Sequence, residues 1–157
     1  MAKESAMLAA QLSRSWRELG SVLASRRLLA SIGNPADARL TPTKLRALDL
    51  IAEHGGVRIG DLAAGVFVDE TTATRLVDRL EAMGVAVRVP VPGDRRGTEV
   101  VLTAEGERLA ADMAERRQEF FREVLEALDP EERAELVRLS VKATASLRER
   151  AHEAVGG

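Results

Sequence analysis

Residues 59–103 read IGDLAAGVFVDETTATRLVDRLEAMGVAVRVPVPGDRRGTEVVLT, and most of the architecture is legible in this stretch. It predicts a short helix over 59–66 and a second over 70–83. Asp69 is the N-cap of the second, and Gly84 sits where a left-handed residue ends it. Only a few residues around Phe67 and Val68 join the two, which is helix-turn-helix spacing. The second helix places Ala73, Leu76, Val77 and Leu80 on one face, while Thr71, Thr72, Thr74, Arg75, Asp78 and Arg79 occupy the others. Small hydroxyls and arginines suit a helix lying in a polar groove, although a merely solvated amphipathic helix carries the same pattern. The residues after Gly84 favour the groove. Val85, Val87 and Val89 alternate with Ala86 and Arg88, and a second extended run, 98–102, comes after a loop over 90–97. Two short strands directly behind a helix-turn-helix form a β-hairpin wing, with Arg95 and Arg96 beside Asp94 at its tip.

On the N-terminal side, Thr41 suits an N-cap and Pro42 falls at the first helical position, where its missing N–H costs nothing. That predicts a helix over 42–54, with Leu45, Leu48 and Ile51 inward, stopping at Gly55 and Gly56. Before it, residues 5–32 carry Leu8, Leu12, Trp16, Leu19 and Leu23 as one helical stripe. Behind the wing, Thr103 caps a helix over 104–128 with Leu109, Met113, Phe120, Val124 and Leu128 in step and Arg117 in a gap of that row. Asp129, Pro130 and Glu132 then read as cap, first helical proline and capping-box carboxylate of a last helix running to about residue 153 through Leu136, Leu139, Ala143 and Leu147. The fold class is therefore mainly α with a small β-hairpin wing: a winged helix-turn-helix with long helices at both chain ends. Three segments are expected: 1–38, an N-terminal dimerisation helix; 39–103, the winged helix; and 104–157, C-terminal dimerisation helices. The terminal helices carry more apolar stripe than a small winged module covers, and a homodimer is the simplest cover, with an intramolecular bundle as the alternative.

The 157 residues, 45% of them hydrophobic, suffice for one cored domain with an appendage. Zero cysteines exclude a disulfide framework, a thiolate zinc site and a thiol redox switch. Apolar runs are far too short to cross a bilayer and no basic-then-apolar leader opens the chain, so a soluble, cytoplasmic protein without a membrane partner is expected. Net charge is −2, and residues 39–103 hold nine basic and nine acidic side chains, so any nucleic-acid affinity must come from local placement. Twenty of the 23 basic residues are arginines, which favour two-pronged pairing with carboxylates, phosphates or base edges, although a G+C-rich genome gives the same bias. No phosphate loop, helical His-Glu-x-x-His, Gly-x-Ser-x-Gly elbow or cysteine nucleophile occurs, so no enzyme and no catalytic residue is expected. No metal is expected, because His54 and His152 are the only histidines and read as solvated or capping residues. With four aromatic residues in all, none among the wing arginines, single-strand stacking is disfavoured.

The chain resembles the multiple antibiotic resistance regulator (MarR) family of bacterial winged-helix transcription factors. The likeness rests on Leu40-Thr41-Pro42-Thr43-Lys44-Leu45-Arg46, on Thr71 to Glu81 in the second helix of the pair, and on the wing segment from Asp94 to Thr103, which fits the pattern D-x-R-x-x-x-V-x-L-T at every fixed position. It is dense over residues 40–109. The resemblance implies a triangular homodimer with interleaved terminal helices, binding double-stranded DNA at an inverted-repeat operator, as a ligand-responsive repressor. Carried over, Thr71, Thr72, Thr74 and Arg75 would lie in the major groove or on its flanking phosphates, where threonine and arginine can read base edges. Arg79 is as suited to pairing with Asp78 or Glu81 as with phosphate. Arg96, with Arg95, would enter the adjacent minor groove, and Asp94 would brace that arginine.

Departures from the family pattern are the acidic start of the recognition helix, Asp69-Glu70, and a wing strand poor in basic residues. The zero net charge of the middle motivates a rival reading, a winged-helix protein-interaction module that does not bind DNA directly. No cofactor is expected. The resemblance implies a small aromatic or phenolic effector in a cleft between the dimer helices and the winged helix. Trp16 is a candidate wall of that cleft, or else a core or dimer-seam residue. Arg17, like Arg14, could meet a ligand carboxylate, though surface ion pairs explain both as well. Phe120 and Phe121 are expected in the helical seam.

Overall fold

Proline without an N–H, glycine at positive φ and short polar caps punctuate this chain and bound several of its helices, while the short helix over 59–66 starts at Arg58 without a side-chain cap and ends at Phe67, at φ 58°. The computed structural model describes residues 2–23, 40–91, 93–94 and 97–155. Its elements are α1 (Ala2–Leu23), α2 (Pro42–His54), β1 (Val57–Arg58), α3 (Ile59–Val66), α4 (Glu70–Ala82), β2 (Ala86–Pro90), β3 (Thr98–Leu102), α5 (Ala104–Glu126) and α6 (Pro130–Val155). The fold is a winged helix-turn-helix with long helices toward both ends, as the sequence indicates. The helix expected over 5–32 is described only as α1, from Ala2; its remainder and the loop up to residue 39 lie outside the described residues. The chain divides into two compact units, 1–117 and 118–157, with the division inside α5.

In the first unit, Thr41 takes an extended conformation and its Oγ1 accepts the Lys44 N–H at 3.4 Å, starting α2; Gly55 ends it at φ 71°. Leu48, Ile51, Leu62, Val77, Leu80, Val100 and Met113 are fully buried, so α2, α3, α4, β3 and α5 all contribute to one core. Leu45, expected inward, is only half-buried at its edge. The sheet order is β1-β3-β2, antiparallel throughout. The hairpin of β2 and β3 matches expectation. The two-residue β1 does not, because two residues carry no alternation; pairing of Val57 and Arg58 with Val100 and Glu99 creates it. Val87 turns outward, 40% exposed, while Val85 and Ala86 are buried where the chain leaves α4.

A tight junction connects the wing to α5. The Thr103 N–H donates to the Val85 carbonyl at 3.2 Å and its hydroxyl to the Gly84 carbonyl at 2.7 Å, while Thr103 Oγ1 accepts the Gly106 N–H at 3.1 Å. Thr103 is thus the cap of α5 and a tie to the turn after α4. Gly106 is required by the closeness of this contact, since a Cβ there would lie 1.9 Å from the Val85 carbonyl oxygen. Further along α5, Arg117 Nη2 donates to Asp49 Oδ1 of α2 at 2.6 Å, which is why an arginine interrupts the apolar row.

In the second unit, Asp129 Oδ1 accepts the N–H groups of Glu131 and Glu132, each at 2.9 Å, and Glu132 Oε2 accepts the Asp129 N–H at 3.0 Å. This is the expected capping box. Arg133 Nε donates to the carbonyls of Leu125 and Leu128, at 2.7 and 2.9 Å, closing the turn from α5 to α6. The Phe120 and Phe121 rings meet edge to face with centroids 5.3 Å apart.

Candidate nucleic-acid interface

The outer face of α4 begins at its cap. Asp69 Oδ1 accepts the Thr72 N–H at 2.8 Å and its Oδ2 accepts the Thr72 hydroxyl at 3.0 Å. These two bonds, the backbone one first, hold the Asp69 carboxyl below its usual range. The Thr74 hydroxyl donates to the Glu70 carbonyl at 2.8 Å. Both hydroxyl protons are therefore committed to the protein, and the two oxygens present their remaining lone pairs as acceptors. Thr71, Arg75 and Arg79 succeed one another at four-residue steps, an exposed row about 12 Å long at the helical rise. The inner face, Ala73, Leu76, Val77 and Leu80, is buried.

Asp78 and Glu81 do not pair with Arg79. Both are taken by Arg88, on the neighbouring strand β2. Its Nη2 donates to Asp78 Oδ1 at 2.8 Å and to the Thr74 carbonyl at 3.4 Å, its Nη1 donates to Glu81 Oε2, and its backbone N–H reaches Glu81 Oε1 at 3.0 Å. Among the described residues, Arg75 and Arg79 make no ion pair. Sequence reasoning singles out neither Arg88 nor its role. The available signal is a pair of carboxylates one turn apart, with an arginine on the strand that returns after a glycine reversal.

In the wing, the Asp94 N–H donates to the Val91 carbonyl at 3.1 Å and the Gly97 N–H to the Asp94 carbonyl at 3.0 Å, with Gly93 at φ 83°. Gly97 leaves room for the Asp94 carboxylate, which a Cβ there would approach to 2.5 Å. Asp94 Oδ2 accepts from Arg58 Nη2 of β1 at 3.1 Å, a partner that sequence reasoning misses because 36 positions separate the two. Arg95 and Arg96 lie outside the described residues. The structure thus brings Thr71, Thr72, Thr74, Arg75 and Arg79 onto one helix and ties Asp94 to the strand before the helix pair.

Trp16, 43% exposed, and Arg17 lie on α1. A groove of about 470 Å³ between α2, β3 and α5 is lined instead by Ile51, Ala52, Leu102, Ala110 and the Asp49–Arg117 pair, among others. Among the described residues no cluster of three metal-ligating side chains occurs, and His54 Nδ1–H donates to the Leu50 carbonyl at 2.9 Å. No helix of the described residues is long and apolar enough to cross a membrane.

Comparison with known proteins agrees with this architecture. Residues 40–97 match the model of the MarR family. The uncharacterized HTH-type transcriptional regulator YsmB of Bacillus subtilis (strain 168) is 33% identical over 93 residues, 59% of this chain and 64% of that protein. The chain therefore matches less than two thirds of that curated relative's length. The solved structure of a MarR family protein from Bacillus stearothermophilus superposes with a TM-score of 0.76 at 27% identity, covering 90% of this chain and 96% of that one. NadR, solved in complex with 4-hydroxyphenylacetate, superposes with a TM-score of 0.63 at 26% identity, covering 87% and 91%.

Proposed function

We propose, from the match of residues 40–97 to the MarR family model, that this chain is a homodimeric regulator that binds duplex DNA in a sequence-specific manner and represses transcription. The observation that carries this reading is the outer face of α4: Arg75 and Arg79 stand exposed and, among the described residues, without ion pairs, in a row with Thr71, while the carboxylates beside them are engaged by Arg88. In this reading α4 enters the major groove. Thr71, Thr72, Thr74 and Arg75 contact base edges or flanking phosphates, Arg79 contacts phosphate, and Arg95 and Arg96 reach the neighbouring minor groove. Asp94 is the brace that holds the wing arginine by a charge-assisted hydrogen bond. Residues 39–103 form the DNA-binding part, and residues 1–38 and 104–157 the dimerisation parts. The apolar stripe of α1, with Leu8, Leu12 and Leu19 each more than half exposed, supports a second copy as its cover.

Two-fold symmetry then calls for an inverted-repeat operator with half-sites about one helical turn, roughly 10 base pairs, apart. The likeness to NadR with its bound 4-hydroxyphenylacetate supports a small aromatic or phenolic acid as effector, with Trp16 as a wall and Arg17 meeting the carboxylate. Selection of bound duplexes from a randomised pool, then gel-shift titration, tests the reading. An inverted repeat should emerge, and Arg75→Ala and Arg96→Ala should each weaken its binding by about 1–3 kcal/mol. If the wild-type protein retains no duplex, the balanced charge of residues 39–103 points instead to a protein partner. Undiminished binding by both variants rejects the residue assignment alone.

A further inference from the structure

In the sheet order β1-β3-β2, strand β2 is an edge, and its free side faces α4. At Arg88 that edge is closed by side chains of the helix. The Arg88 N–H, which no strand takes up, donates to Glu81 Oε1, and its guanidinium spans Glu81, Asp78 and the Thr74 carbonyl, contacts that run along two turns of α4. Arg88 is only 26% exposed, so it has little surface left for an outside ligand. Its cross-strand partner is the fully buried Val100, which fixes the middle of the hairpin in the core. Four bonds from one residue therefore define how the wing strand is set against the helix that carries Arg75 and Arg79. A planar guanidinium can satisfy such a divergent set of acceptors, whereas the single ammonium of lysine cannot.

We propose that Arg88 is a positioning residue for duplex recognition: it does not touch DNA but sets the pitch of the wing relative to the recognition helix, so that both meet adjacent grooves together. The inference rests on the reading of α4 as the DNA-contacting helix. Positions that fix two reading heads relative to each other affect chiefly the site that both heads fit, and affect general phosphate attraction little.

The experiment compares binding of the duplex selected from the randomised pool with binding of a scrambled duplex of equal length, over a series of salt concentrations, for wild type, Arg88→Ala, Arg88→Lys and the triple variant Arg88→Ala/Asp78→Asn/Glu81→Gln. Arg88→Ala should lose about tenfold or more on the selected duplex and less than about threefold on the scrambled one, with the salt slope of wild type, whereas Arg79→Ala, which removes a phosphate contact in this reading, should flatten that slope by about one. Arg88→Lys should fall between wild type and Arg88→Ala. The triple variant should stay as weak as Arg88→Ala on the selected duplex. Wild-type affinity in Arg88→Ala, a slope flattened by about one, or recovery in the triple variant overturns the proposal; the last would reduce Arg88 to a neutraliser of two carboxylates. If Arg88→Ala fails to fold, Asp78→Asn/Glu81→Gln replaces it: the ratio of selected to scrambled affinity should drop, and an unchanged or raised ratio rejects the proposal. Failure of the wild type to bind any duplex would reject the DNA reading itself.

Discussion

Asp69 shows how much one short side chain can decide. Its carboxylate starts α4 and holds the Thr72 hydroxyl, so the charged form is the one the fold uses. A carboxyl whose pKa is lower when folded contributes stability above its unfolded pKa and loses it as pH falls through the folded value. For Asp69 the loss should come below its ordinary value of 3.8. Thermal melts from pH 6 down to about pH 2 should therefore show wild type losing more stability in the acid limb than Asp69→Asn, which caps without titrating. Parallel curves would show that the cap is energetically silent. Asp69 was legible because a cap acts within three residues; so were Thr41 and Asp129. Arg88 and the Arg58–Asp94 pair were not, because their partners are set by how the strands return, a relation that a local pattern does not encode.

Elements were legible in proportion to their length and punctuation. α2, α3, α4 and β3 fall where periodicity, capping residues and glycines put them, while β1 exists only through its pairing with β3. The start of α5 has a requirement of another kind, closeness to a neighbouring backbone. Alanine is the better helix former by about 1 kcal/mol, so helix propensity alone would favour Gly106→Ala. The contact with the Val85 carbonyl reverses the sign, because a Cβ at 1.9 Å forces α5 and the α4–β2 turn apart. The variant should be less stable than wild type by about 2 kcal/mol or more, read from denaturant midpoints. A gain in stability would mean that the junction yields without cost.

Among the described residues taken together, the dominant unsolved demand is uncovered apolar surface. Leu8, Leu12, Trp16 and Leu19 on α1, and Leu136, Leu139 and Leu147 on α6, are each more than 40% exposed. The proposed homodimer predicts two-copy sedimentation for wild type and single subunits when Leu12 and Leu19 are together replaced by glutamate. A wild type that already sediments as a single subunit would remove the two-fold argument. The sequence pointed to this surplus through the stripe itself, but it could not identify Trp16 as seam or pocket, since either role needs the same large apolar ring. The Thr103 junction, finally, has a mechanical side. Through it, the first turn of α5 grips the chain as it leaves α4, by two hydrogen bonds from its cap residue and a contact too close for any side chain. A knuckle of that stiffness transmits torque: whatever twists the front of α5 must also swing the threonine and arginine row, with no slack joint between them to absorb the turn.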